Sequence, residues 1–375
     1  MVRRIRVAHV INSMEVGGAQ RQVVNLMRSL DPARFDQCLI CLERKGALGE
    51  ELERSGFPVL ALGKQGRVHP AMLWTLVREL RRWKPDVVHT SVFTANLWGR
   101  LCAMVAGVPV RIAHEQSTVS LEKWYRRALD WMLSWGTYRI LAVSGDLRTR
   151  ILAEERLPAS RVEVLYNAVD CEALRSGSRE EGKGPALPGR SGWRVGLVGR
   201  LEYRKDHVTL VRAAARVVEQ RPEATFLLVG DGPDRGKIEE AIRTLGMERN
   251  VFLLGERQDV AWILGQLDVY VLCSITEGLS LSILEAMAVG APVVATRVGG
   301  NAELLDEGRA GVLTPAGDVE ALAEAILGLL KDPDRAQEMV RRAGERVTER
   351  FDVHAVARRL EGIYESGVRQ VGGKG

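Results

Sequence analysis

At 375 residues, with 46% hydrophobic and 27% charged residues and a formal net charge of +5, the chain has an ordinary globular composition and is long enough for two domains with two full cores. No run approaches 18 apolar residues, which excludes a spanning helix, and the opening MVRRIRVAHVIN lacks a small-residue cleavage site, so it reads as a first strand and not a signal peptide. Five scattered cysteines, an odd number, point to a reducing cytoplasm.

In chain order, RVAHVIN, AQRQVVNLMRSL, FDQCLICL, FPVLAL, AMLWTLVRELRRW, DVVHT, VPVRIAH and YRILAVS alternate short apolar runs with helical patterns. Strands this rich in Ile, Val and Leu belong to a parallel sheet covered on both faces. Cys38 and Cys41 have the spacing of a redox or zinc motif, but CLICL reads as a strand on which they point to opposite faces, so both are expected to be buried structural thiols. No second Cys or His pair completes a metal site. The stretch LEKWYRRALDWMLSWG, if helical, sets Trp124, Ala128, Trp131 and Trp135 on one side, flanked by Lys123, Arg126 and Arg127. Such a stripe fits either a core face with a solvated rim or a helix lying on an anionic membrane surface.

This first domain is expected to span residues 1–173. Residues 174–193, LRSGSREEGKGPALPGRSGW, lose all periodicity and read as a linker. The βα rhythm then restarts with WRVGLVG and runs to about residue 350, and residues 351–375 carry a last helical pattern expected to pack back across the first domain. The chain is thus α/β, two doubly wound domains in tandem. Residues 1–170 carry 25 Lys and Arg against 17 Asp and Glu, a net +8, while residues 171–375 carry 28 against 31, so the two halves are expected to meet different partners.

Doubly wound domains bind ligands at the carboxyl ends of their strands, which directs attention to the turns. NSMEVGGAQ offers Gly17 and Gly18 but no G-x-G-x-x-G, and VGDGPDRGKI misses the P-loop spacing by one residue, with Ile238 where a hydroxyl would hold magnesium. VGRLEYRKDH places Arg200 and Lys205 just after a buried strand, where two cations suit a diphosphate. RIAHEQS puts His114 at a strand end, expected to face the same cleft. In TEGLSLSILEAMAVGAPVVAT, Ser282 and Glu285 fit a helix capping box. That reading leaves Glu277 and Gly278 unexplained. The alternative is a ligand site: the helix amides near Leu279, Ser280 and Leu281 hold an anion, and the two carboxylates take hydroxyls, which describes a sugar nucleotide.

Several of these stretches together, VGRLEYRKD, LLVGDGPDRGKIE, DVYVLCSITEGLSLSILEAMAVGAPVVAT and GGNAELLDEGRAGVLTPAGDVEALA, resemble the second domain of family 4 glycosyltransferases of the GT-B fold, and INSMEVGGAQRQVVNL resembles their first glycine loop. The family's E-x7-E element falls on Glu277 and Glu285. The resemblance implies two Rossmann-like domains facing each other across a cleft. Glu285 would hold the ribose and Glu277 the donor sugar, while Arg200, Lys205 and the amides near Leu279 and Ser280 stabilise the diphosphate. His114 would lie beside the sugar, Gly17 and Gly18 would let the backbone approach, and Gly255 and Arg257 would meet the base. It further implies retention of anomeric configuration, no metal or cofactor, a UDP- or GDP-linked donor, and a glycan or lipid-linked acceptor in cell-surface polysaccharide assembly. Ala168 stands where the family often has Gly, and EGLS replaces the commoner EGFP. A sugar-nucleotide epimerase, a phosphorylase or a non-catalytic sugar-nucleotide sensor on the same scaffold are the rival readings; nucleic-acid binding lacks a recognised module.

Overall fold

The computed structural model describes residues 3–64, 66, 69–117, 124–155, 157–180, 185–189 and 192–372. They form two compact units, Met1–Ala168 with Val353–Gly375, and Val169–Asp352.

In the first unit seven parallel strands, β1 (Ile5–Ile11), β2 (Phe35–Cys41), β3 (Val59–Ala61), β4 (Val87–Ser91), β5 (Val110–Glu115), β6 (Arg139–Ala142) and β7 (Val162–Val164), lie in the order β3-β2-β1-β4-β5-β6-β7. Helices α1 (Gly18–Ser29), α2 (Gly46–Arg54), α3 (Pro70–Trp83), α4 (Phe93–Ala106), α5 (Trp124–Ser134) and α6 (Gly145–Glu155) connect them. The strands are Val- and Ile-rich because both faces are covered. Cys38 belongs to one core cluster and Cys41 to another, on opposite sides of β2, and burial pushes each thiol up to about 12, so both stay protonated.

A helix, α7 (Cys171–Arg179), occupies much of the segment expected to be a linker from residue 174. Asp170 caps it, its Oδ1 accepting from Ala173 N at 2.8 Å, and Arg175 donates to Ala288 O and to Thr348 Oγ1. The Ser and Gly of RSGSREEG hide the helical period; the helix stands on tertiary contacts, which sequence spacing does not register. The predicted boundary at residue 173 is corrected to 168, and residues 174–179 of the expected linker are helical.

The second unit repeats the architecture with β8 (Arg194–Val198), β9 (Thr225–Val229), β10 (Val251–Gly255), β11 (Val269–Leu272), β12 (Val293–Thr296) and β13 (Val312–Thr314), in the order β10-β9-β8-β11-β12-β13. Its helices include α8 (His207–Gln220), α9 (Arg235–Thr244), α10 (Val260–Gly265), α11 (Leu281–Val289), α12 (Asn301–Leu304), α13 (Val319–Lys331) and α14 (Pro333–Arg350). The chain then gives α15 (Val353–Gly372) to the first unit, where Val353, Val356, Ala357, Leu360 and Tyr364, spaced for one helix face, join the core. No helix among the described residues is long and apolar enough to cross a membrane.

In both sheets the strand order reverses once, between β1 and β4 and between β8 and β11. The carboxyl end of a sheet at such a reversal is where sheets of this kind bind ligands.

Candidate active site

At the reversal in the second unit, the loop after β8 carries Lys205 and the loop after β11 carries Glu277. Lys205 Nζ lies 2.5 Å from Glu277 Oε1, and Ser274 Oγ donates to the same oxygen at 2.6 Å. The side chains are only 19% and 12% exposed, so water screens the pair weakly. Lys205 reaches Glu277 across Gly199, where a Cβ would sit 3.8 Å from Lys205 Cε. Two further ties fix the loops to each other. Ile275 N donates to Arg204 O at 2.9 Å. Cys273 Sγ lies 3.2 Å from the carbonyl oxygens of both Lys205 and Asp206, and burial pushes its thiol up to about 12, so the S–H is retained as a donor.

Glu277 is also held from below. Gly299 has φ +49, and a Cβ there would stand 2.0 Å from Glu277 O. Only glycine allows β12 and its turn to approach so closely. Gly300 N donates to Gly278 O at 2.9 Å, and Thr296 Oγ1 donates to Ser274 O at 2.6 Å. Gly299→Ala is therefore expected to push Glu277 off Lys205 and cost about tenfold or more in kcat/KM while the second unit stays folded. Kinetics beside a circular-dichroism melt check this, and unchanged kinetics would show that the loop has slack.

Helix α11 begins at this loop. Ser280 is its N-cap, with Oγ accepting from Ile283 N at 3.4 Å, and no acidic residue stands in its first turn. The expected Ser282–Glu285 capping box is not formed: Ser282 lies inside the helix, where its Oγ takes the hydroxyl proton of Tyr270 at 2.7 Å. In SLS either serine matches a cap by spacing, and the buried tyrosine decides which one serves. Leu279, Ser280 and Leu281 are buried, Glu285 is half-buried one turn further on, and the positive end of α11, capped by Ser280 Oγ and with no carboxylate in its first turn, lies beside Gly278. Arg200 is largely exposed, with Nε 3.9 Å from Glu202.

Gly255 closes β10 and its carbonyl accepts from Gly230 N at 2.8 Å, whose own turn presses on Gly199 O. Arg257 is occupied elsewhere. Its Nε and Nη2 form a buried two-point pair with Asp259 at 2.8 and 2.7 Å, and Nη1 donates to Pro185 O. The arginine expected to meet the base thus fastens the segment around Pro185.

In the first unit, Gly17 is the N-cap of α1 in extended conformation, and no side chain caps that helix at Gly17 and Gly18. His114 lies near the carboxyl end of β5, as its place in RIAHEQS implied. It is 1% exposed, its Nδ1 faces Gln116 Nε2 at 3.3 Å, and its Nε2 has no hydrogen-bond partner. It stacks on His89 at 5.3 Å between ring centroids, and His89 in turn lies 5.5 Å from His9. His89 Nδ1 lies 2.5 Å from the Tyr364 hydroxyl. Burial lowers His114 and His9 to about 4, so this row of imidazoles is neutral.

The geometry thus joins Lys205, Glu277 and the start of α11 in one cluster, and it adds Ser274, Cys273 and Gly299, none of which the motifs singled out. Ser274 could have been found from its i, i+3 spacing to Glu277, and Gly299 from the GG pair after β12.

Known proteins match along most of the chain. The family model described as Glycosyltransferase Family 4 matches residues 16–173, and the one described as Glycosyl transferases group 1 matches residues 192–332. The UDP-Gal:alpha-D-GlcNAc-diphosphoundecaprenol alpha-1,3-galactosyltransferase of Escherichia coli is 28% identical over 88% of this chain and 89% of its own. The 2-deoxystreptamine glucosyltransferase of Streptomyces kanamyceticus is also 28% identical, over 76% and 79%. Among solved structures, HepE of Anabaena in complex with UDP-glucose superposes with a TM-score of 0.83 at 23% identity, covering 97% of this chain and all of that one.

Proposed function

Because the chain belongs to the family 4, group 1 glycosyltransferases and has their GT-B fold, we propose that it moves a sugar from a UDP- or GDP-linked donor to a hydroxyl of a glycan or lipid-linked acceptor, with retention and without a metal. The names of the relative from Escherichia coli and of the UDP-glucose-bound neighbour support glycosyl transfer from a nucleotide sugar, and neither the epimerase, phosphorylase nor sensor reading is favoured. The observation that carries the finer reading is the Lys205–Glu277 pair, held by Ser274 at the strand-order reversal.

Breaking the bond between the anomeric carbon and the diphosphate leaves negative charge on phosphate oxygen and positive charge on the sugar. Lys205, Arg200 and the amides at the start of α11 meet the first. Glu277 fixes the ammonium before the donor arrives and offers its carboxylate to sugar hydroxyls, while Glu285 takes the ribose. The acceptor oxygen bonds to the anomeric carbon on the face the diphosphate leaves, and its proton passes to a phosphate oxygen, so no protein nucleophile is required.

By their names, relatives of equal identity act on alpha-D-GlcNAc-diphosphoundecaprenol and on 2-deoxystreptamine. A place at the inner face of the membrane, in cell-surface polysaccharide assembly, is the reading supported by the basic, tryptophan-rich first half.

A melting screen against UDP, GDP, ADP and their sugar conjugates tests the donor, since a ligand of the folded state alone raises its stability, by about 2.7 kcal/mol at 100 times Kd. Turnover with the stabilising conjugate is expected to survive EDTA unchanged. Loss with chelator and recovery with manganese would show that a metal carries the diphosphate charge.

A further inference from the structure

Helix α5 is inverted relative to an ordinary surface helix. Its buried residues are Asp130, Leu133 and Ser134, two of the three polar; Asp130 pairs with the fully buried Arg100 of α4, and Arg127 pairs with Glu154 of α6 at 3.0 Å. Its outer face is apolar, with Trp124 74%, Trp131 47% and Met132 57% exposed, and Trp135, just past its end, 71% exposed. Trp131 and Trp135 meet edge to face at 6.1 Å. The stripe expected to be either core or contact surface is therefore not core. Neighbouring helices add to it: Trp74 on α3 and Val105 on α4 are both more than half exposed.

The charges are also placed differently from the sequence pattern. Arg127 is spent on Glu154, Arg126 stacks over Phe93 at 4.7 Å, and Lys123 lies outside the described residues. The exposed cations stand on α3, where Arg78 stacks over Trp74 at 5.3 Å, Arg81 donates to Val105 O at 2.9 Å, and Arg78 and Arg82 share the one carboxylate of Glu79 at 3.2 and 3.6 Å, which leaves the three arginines a net charge of +2. They border the apolar residues of α3 and α4.

We infer that this face lodges in the boundary between headgroups and acyl chains of a phospholipid bilayer. The indole rings and Met132 sit in the apolar layer, and Arg78, Arg81 and Arg82 meet lipid phosphates. Indoles with an apolar body and one N–H suit a medium that is apolar at one end and wet at the other. Phosphates complement the arginine border, whereas a second copy seated on the same face would bring like charges together. The inference deepens the proposed lipid-linked acceptor by naming what holds the first unit at its source. It makes apolar insertion the main contribution, with charge as an addition.

The test is co-sedimentation of the intact protein with phosphatidylcholine vesicles and with vesicles also containing phosphatidylglycerol, at low salt and at about 1 M salt, where exposed charges are screened within a few ångströms. The wild type is expected to bind both kinds, with a blue-shifted tryptophan emission, and to retain most binding to the neutral vesicles at high salt. Trp124→Gln, Trp131→Gln and Trp135→Gln combined are expected to weaken binding tenfold or more on both, while Arg78→Gln, Arg81→Gln and Arg82→Gln combined weaken it only on the anionic vesicles. Binding that vanishes at high salt, or that survives the tryptophan changes, overturns the inference. So does a concentration-dependent dimer abolished by the tryptophan variant, which would make the face a self-interface. Stabilisation by the donor nucleotide is measured on the same variants. If it persists while vesicle binding fails, only the membrane inference falls; if the wild type itself lacks it, the donor reading falls and the vesicle result stands alone.

Discussion

Lys205→Ala is expected to lower kcat on the order of 100-fold, about 2.7 kcal/mol of transition-state stabilisation, with a much smaller change in the donor KM. The ammonium is placed before the donor binds, because Glu277, itself fixed by Ser274, holds its side chain while the Cys273 thiol holds its loop. A charge fixed in that way needs no reorganisation when the diphosphate begins to leave, and most of its effect falls on the chemical step. Arg200→Ala is expected to act in the same direction and to raise KM as well, since its guanidinium is exposed and meets the diphosphate in the ground state too. A purely structural ion pair makes a different prediction. Removing Lys205 alone would leave Glu277 an uncompensated, mostly buried carboxylate and cost stability. Lys205→Met combined with Glu277→Gln relieves that charge. If the double variant is as stable as the wild type and turns over normally, the pair is structural and the catalytic assignment fails. If it is stable and inactive, the assignment stands.

That pair also marks the limit of what the chain discloses in one dimension. The βα rhythm was legible because doubly buried strands admit only Val, Ile, Leu and their kind, and the E-x7-E spacing was legible because both carboxylates lie on one continuous loop and helix. The contact between Lys205 and Glu277 joins residues 72 apart and follows from the strand order, which sets β8 beside β11. No local spacing encodes it. The stripe of tryptophans was readable as one side of a helix, but period alone does not say which side turns inward. The decision came from Arg100, a buried guanidinium that draws Asp130 inward and leaves the indoles outside. His9 and His89 carried no motif at all. They matter because parallel register sets His9 opposite His89, one strand from His114. The helix at Cys171–Arg179 was missed for a related reason, since contacts with α10 and α11 outweigh its poor propensity.

The buried titratable groups of the first unit are expected to give it a stability maximum near pH 6 to 6.5, with Glu155→Gln removing much of the alkaline decline. Glu155 is pushed up to about 9, first by burial and then by the carboxylates of Asp130 and Glu115, with Arg100 opposing. The folded chain therefore keeps a proton that the unfolded chain releases above its ordinary value of 4.5, so the contribution of Glu155 to stability falls as pH rises from there and stops falling above about 9. His9 and His114 act in the other direction. Burial lowers both to about 4, so between the ordinary 6.5 and that value the unfolded chain takes protons that the folded chain refuses, and stability is lost as pH falls. His89, lowered by burial and by its two histidine neighbours, adds to the acid side. Between 4.5 and 6.5 the three histidines outweigh Glu155 and Asp130, which burial raises as well, and above that range the retained acid protons, joined above 9 by those of the buried thiols, carry the decline, which places the maximum at the crossover. Each unit of pKa shift corresponds to about 1.4 kcal/mol. The roughly 3.5 units between 4.5 and pH 8 set an upper bound of about 5 kcal/mol, so the neutral amide of Glu155→Gln is expected to raise stability at pH 8 by several kcal/mol and to change it little at pH 5. Urea titrations of both proteins across this range would measure the difference, and an equal or lower stability of the variant at pH 8 would mean that Glu155 is ionised in the folded protein.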